Sequence, residues 1–107
     1  MSAYQRTKGH GYEREVARAL REIFPHVERE WEAHTGKGYD LRNTGTLRIQ
    51  CKRGKQYAPI TKINEVPLSL DTIACLVTRG DNTESVICLY LEDFIKMLND
   101  IGVVYDG

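Results

Sequence analysis

The chain has 107 residues, enough for one domain with a single modest core, and its 41% hydrophobic and 28% charged content is ordinary for a soluble globular protein. No apolar run is long enough to span a bilayer, and no signal-peptide core is present. Net charge is zero, yet residues 1–62 carry 13 Lys/Arg against 7 Asp/Glu (+6) and residues 63–107 carry 2 against 8 (−6), which implies a basic face suited to phosphate and an acidic one.

Taken in chain order, residues 1–8 read as a loosely held basic arm. A helix follows from about Gly9 to Ile23, because Tyr12, Val16, Ala19/Leu20 and Ile23 recur on one stripe. Pro25 ends it, and Arg14, Arg18 and Arg21 share another side. Val27 to Ala33 alternates as a half-buried strand, and His34 to Gly38 is a glycine-rich loop. Tyr39 to Arg42 begins a second strand, Asn43-Thr44-Gly45 turns, and Thr46 to Arg53 returns as a third. On that strand Leu47, Ile49 and Cys51 face one way, while Arg48, Gln50 and Lys52 face the other.

Pro59 to Val66 fits a short helix with proline in its first turn. Thr72 to Thr78 is apolar throughout, as expected of a central strand covered on both faces. Ser85 to Tyr90 gives a fifth strand and Leu91 to Asn99 an amphipathic helix. The expected fold is one α/β domain, an α-β-β-β-α-β-β-α sandwich around a central mixed sheet. Its first three strands would form an antiparallel meander, and its fourth would follow a helical crossover. Three widely spaced cysteines (Cys51, Cys75, Cys88) with no Cys-x-x-Cys argue against a disulfide framework or zinc knuckle and for reduced thiols in a cytoplasmic protein.

Asp40 is the only acidic residue from 33 to 62, amid seven basic ones: Lys37, Arg42, Arg48, Lys52, Arg53, Lys55 and Lys62. Gln50 and Lys52 share a face of the following strand, and Glu13 flanks the apolar stripe of the first helix. A carboxylate, an amide oxygen and a lysine so grouped suit Mg²⁺ held against a phosphodiester. The ion needs few protein oxygens, and it can activate water and neutralise the phosphate. Asp40 would be the principal ligand, with Gln50, the Cys51 main-chain carbonyl and Glu13 as further donors. Lys52 would steer the attacking water or stabilise developing charge. One geometric condition applies. A clean two-residue turn would point Asp40 away from Gln50, whereas an odd-length loop or a bulge at Gly45 would set the two together.

These residues resemble the PD-(D/E)XK nuclease superfamily. Within it, Lys8-Gly9-His10-Gly11-Tyr12-Glu13 is similar to the opening helix of archaeal-type and phage Holliday junction resolvases. Thr35-Gly36-Lys37 is similar to their Ser-Gly-Lys loop, and the likeness spans about residues 8 to 53. The resemblance implies a restriction-endonuclease-like fold, Mg²⁺ with Mn²⁺ as substitute, a catalytic hydroxyl at Thr35, and paired incision of branched DNA by a homodimer. Arg6, Lys8, Arg14, Lys37, Arg53 and Lys55 would contact DNA. The chain departs from the pattern at Tyr39, where proline is usual, and at Gln50, where an acidic residue is usual. Two alternatives stay open: a nuclease nicking ordinary duplex, and a DNA-binding module that Gln50 has weakened as an enzyme. Leu89, Leu91 and Ile95 are the candidate dimer contacts.

Overall fold

The computed structural model describes residues 3–30, 38–67, 69 and 71–102, with backbone only for residues 3–10. Its elements are α1 (Ala3–Leu20), β1 (Glu28–Arg29), β2 (Leu41–Arg42), β3 (Leu47–Arg53), a 3₁₀ helix (Ile60–Glu65), β4 (Ile73–Arg79), β5 (Val86–Cys88) and α2 (Leu91–Asp100). The order is the expected one, with the middle helix in the tighter 3₁₀ form.

β4 organises the domain. Residues Ile73 to Thr78 are all buried, as an uninterrupted apolar run requires when both faces are covered. β3 lies parallel to β4 in a register that pairs Gln50 with Leu76 and Cys51 with Val77, while β5 pairs antiparallel on the other side. The three strands form a mixed α/β sheet in the order β3-β4-β5. On one face Tyr12, Val16 and Ala17 of α1 meet Ile49, Cys51, Cys75 and Val77. On the other, Ile63 and Val66 from the 3₁₀ helix and its C-cap meet Ala74 and Leu76. Full burial of each such aliphatic side chain contributes about 1.5–3 kcal/mol, so these two layers carry most of the stability.

Several sequence expectations need correction. The arm is not loose from residue 3 onward, because α1 starts at Ala3. At its other end α1 stops at Leu20, and the Ile23 and Phe24 amides turn back onto the Leu20 carbonyl. The helical period therefore lapses before Ile23, which is 70% exposed, and Phe24 packs on the core instead. The meander is only partial: β1 and β2 form a separate antiparallel pair, and residues 31–33 of the expected first strand lie outside the described residues. Asp40 joins that pair to β3 by donating its amide to the Ile49 carbonyl at 2.7 Å.

α2 contributes no buried residue, and Leu91, Phe94, Ile95 and Ile101 on and just after it are exposed. Leu89, a candidate dimer contact, is partly buried against the core. Among the described residues, no helix is long and apolar enough to cross a membrane. Cys51 and Cys75 are buried free thiols, and Cys88 is a half-buried one. Burial pushes the Cys75 thiol up to about 11, which keeps it protonated and inert at neutral pH.

Candidate active site

The turn before β3 brings the Asp40 amide onto the Ile49 carbonyl. Asn43 and Gly45 both adopt left-handed backbone (φ 64° and 62°), and the buried Thr44 hydroxyl donates to the Leu47 carbonyl at 2.7 Å. Asn43 holds its conformation by donating Nδ2 to the His26 carbonyl. Asp40 makes contacts on either side of Gln50 along β3. Its amide reaches Ile49 on one side, and its carboxylate Oδ2 accepts the Cys51 amide at 2.7 Å on the other. A side-chain oxygen thus replaces the main-chain carbonyl that a continuing strand would offer. Within a strand the N–H and C=O of one residue point to the same edge, so the Cys51 carbonyl also faces the Asp40 side.

Burial raises the Asp40 carboxyl above its ordinary value, and the Cys51 amide donating to it is the chief opposing influence. Glu13 adds to the rise, while Lys52 and Arg29 counter it. These four charged groups therefore share one field, with Asp40 at the sheet edge among them. The same field acts on the Cys51 thiol, which burial first and then Asp40 and Glu13 push well above its usual range.

Glu13 is not free. Arg29 Nε donates to its Oε2 at 2.7 Å, and both side chains are less than one-fifth exposed (18% and 16%). Arg29 was read from the sequence as an ordinary strand residue; it is the counter-ion of this acidic pair. Gln50 is buried (6% exposed), and its Nε2 donates to Glu65 Oε2 at 2.9 Å. Its Oε1 is buried with no hydrogen-bond partner. Lys52 Nζ lies 3.9 Å from the same Glu65 oxygen.

Glu65, at the end of the 3₁₀ helix, is the residue that sequence reasoning missed. Lys62 holds its other oxygen at 2.9 Å, and hydrogen bonds from Lys62 and then Gln50 keep its carboxyl below the ordinary range. The available signal was faint: a buried glutamine needs an acceptor for its NH₂ group, and Glu65 is the first acidic residue after Asp40.

Of the expected DNA contacts, Arg14 and Lys55 are exposed, and Arg53 faces Asp81 at 3.7 Å. Arg48 folds back onto the Gly45 and Leu47 carbonyls with its guanidinium 5.6 Å from the Tyr39 ring. Thr35 and Lys37, and the side chains of Arg6 and Lys8, lie outside the described residues. A surface hollow of about 620 Å³ at Arg21, Pro25, His26, Val27, Glu28 and Asn43 contains none of the candidate residues.

Among the described residues, no group of three or more His, Cys, Asp or Glu could hold a metal ion. The donors present are of another kind: one oxygen of Asp40, a Glu13 carboxylate shared with Arg29, the Cys51 carbonyl, and the orphaned amide oxygen of Gln50. A buried oxygen without a partner costs about 1–3 kcal/mol, so a cation or water there would relieve it. By type these are hard oxygen donors, the kind that Mg²⁺ takes in small number while keeping its waters. Comparison of the chain with family models, curated proteins and solved structures finds no match.

Proposed function

We propose that this chain is a Mg²⁺-dependent endodeoxyribonuclease with a restriction-endonuclease-like fold, acting on branched DNA as a junction resolvase. The observation that carries the reading is Asp40. A carboxylate raised by burial accepts the amide next to a glutamine whose oxygen is orphaned, within the field of Lys52 and Glu13. Such perturbed acids gather where chemistry is done.

In this reading Asp40, Gln50 Oε1 and the Cys51 carbonyl would hold the ion, with Glu13, now paired with Arg29, as a further donor. Bound Mg²⁺ supplies charge neutralisation on the phosphodiester and lowers the pKa of attacking water. Lys52 orients that water or stabilises the negative charge that grows on the phosphate oxygens. Thr35 adds a hydroxyl, as the resemblance implies. Arg14, Lys55 and the other basic residues of the first 62 bind backbone phosphates, which positions the DNA without reading its sequence.

Paired incision needs two sites, so the functional form is a two-fold homodimer. The exposed apolar residues Leu91, Phe94 and Ile95 of α2, near β5 at the end of the sheet among the described residues, would be the surface for it. A second reading, a DNA-binding module without cleavage, is favoured by the Arg29–Glu13 pair, which already neutralises one carboxylate. The test is Mg²⁺- or Mn²⁺-dependent cutting of an end-labelled four-way junction beside linear duplex of the same sequence. Symmetric junction nicks support the resolvase, duplex nicks support the nicking enzyme, and salt-sensitive binding without cleavage supports the module.

A further inference from the structure

Position 50 carries an amide where the resemblance leads one to expect an acid, and an amide has two ends. An NH₂ group facing a cation repels it; an oxygen binds it. Which end faces the site is therefore decisive, and Gln50 does not decide it alone.

Resting on the reading above, we propose that Glu65 is a positioning residue: its carboxylate fixes the sense of the Gln50 amide, so that Oε1 is the end presented to the Asp40 site. A carboxylate only accepts, so the amide must turn its NH₂ group to Glu65, as the 2.9 Å contact has it. The opposite end is then an oxygen, buried and unpartnered. Lys62 at 2.9 Å and Lys52 at 3.9 Å hold the Glu65 carboxylate in place.

The segment leading into Asp40 is seated on the same residue. Gly38 has φ +79°, and a Cβ there would come within 2.6 Å of the Glu65 carbonyl oxygen and of Pro67 Cδ. Glu65 thus lies close against the segment leading into Asp40 through its main chain and holds the Gln50 amide through its side chain. The arrangement also accounts for glutamine at position 50, since a glutamate would set two carboxylates at hydrogen-bond distance.

The experiment uses the full chain as wild type, Glu65→Gln, Gln50→Glu and the double variant. Mn²⁺ and Mg²⁺ affinity is measured by calorimetry, and unfolding is followed in EDTA. Glu65→Gln lets the residue-50 amide face either way, and the loss expected is about 10-fold in Mn²⁺ affinity, the usual size for a partner that orients a ligand. Gln50→Glu alone should unfold at a lower temperature than the double variant in EDTA. The double variant reverses the polarity of the pair, and it should bind Mn²⁺ at least as tightly as wild type.

Equal Mn²⁺ affinity in wild type and Glu65→Gln overturns the proposal and leaves the metal site standing. Additive effects of the two changes in EDTA overturn it whatever the ions do. Clear coupling in EDTA together with a wild type that binds neither ion leaves the pair intact and removes the nuclease reading instead.

Discussion

Asp40 has two jobs, and different substitutions separate them. Asp40→Ala removes both the charge and the acceptor of the Cys51 amide, a group on a residue only 8% exposed. Leaving that N–H unsatisfied costs about 1–3 kcal/mol, and for a domain of this size each kcal/mol moves Tm by about 4–8 °C. A fall of roughly 10 °C is expected. Asp40→Asn keeps an oxygen for the amide and removes a charge that burial disfavours, so its metal-free Tm should equal or exceed that of wild type at pH 7 to 8.

The sign with pH follows from the raised carboxyl. The folded chain holds the Asp40 proton more tightly than the unfolded chain, so this group's effect on metal-free stability is most favourable below its unfolded value, 3.8. Stability is lost as pH rises from there through the raised folded value. Asp40→Asn should lack that slope. Metal reverses the ranking. At an Mg²⁺ concentration 100 times the dissociation constant, wild type should gain about 2.7 kcal/mol, or upward of 10 °C, and Asp40→Asn almost none. The assay is calorimetric or dye-monitored unfolding across pH, with EDTA or excess Mg²⁺ or Mn²⁺. A wild type indifferent to both ions, or an Asp40→Asn variant that gains as much as wild type, would refute the reasoning.

Lys52→Ala should lower junction cleavage by at least about 100-fold while leaving DNA binding within a few-fold, because binding is spread over many basic residues; an unchanged single-turnover rate would exclude Lys52 from the chemistry. Arg29→Gln should tighten Mn²⁺ binding by freeing Glu13, while destabilising the metal-free fold by about 1.5–3 kcal/mol, the worth of a hydrogen bond to a charged group. Calorimetry and denaturant unfolding read the two effects separately. Light scattering at micromolar concentration should give a dimer that Leu91→Glu or Ile95→Glu dissociates, and a clean monomer both free and on DNA would rule out paired incision by this chain.

How much of this was legible in the sequence differs from element to element. The continuous apolar run of β4 and the Tyr12–Val16 stripe announced themselves, because burial leaves a periodic trace in residue type. Asp40, Gln50 and Lys52 stood out through charge context and strand alternation, and Gly45, read as a turn residue, has left-handed backbone. Partners distant in sequence left no such trace. Arg29 meets Glu13 across 16 positions and Glu65 meets Gln50 across 15, and neither spacing belongs to a helix or hairpin rule. Ile23 misled because a helical stripe says nothing about where capping and proline will end the helix.

The bond between Asp40 and the Cys51 amide bears on which ion such a site prefers. With Oδ2 already accepting a strand rung, the carboxylate is less free to grip a cation with both oxygens. Calcium favours six to eight oxygen ligands and readily takes carboxylates two-handed; magnesium accepts a few rigid contacts and retains its own water. In the proposed site, an aspartate so engaged and few other donors would disfavour calcium by scarcity of ligands. The hydrogen bond that completes the edge of the sheet would in this way also set the identity of the metal.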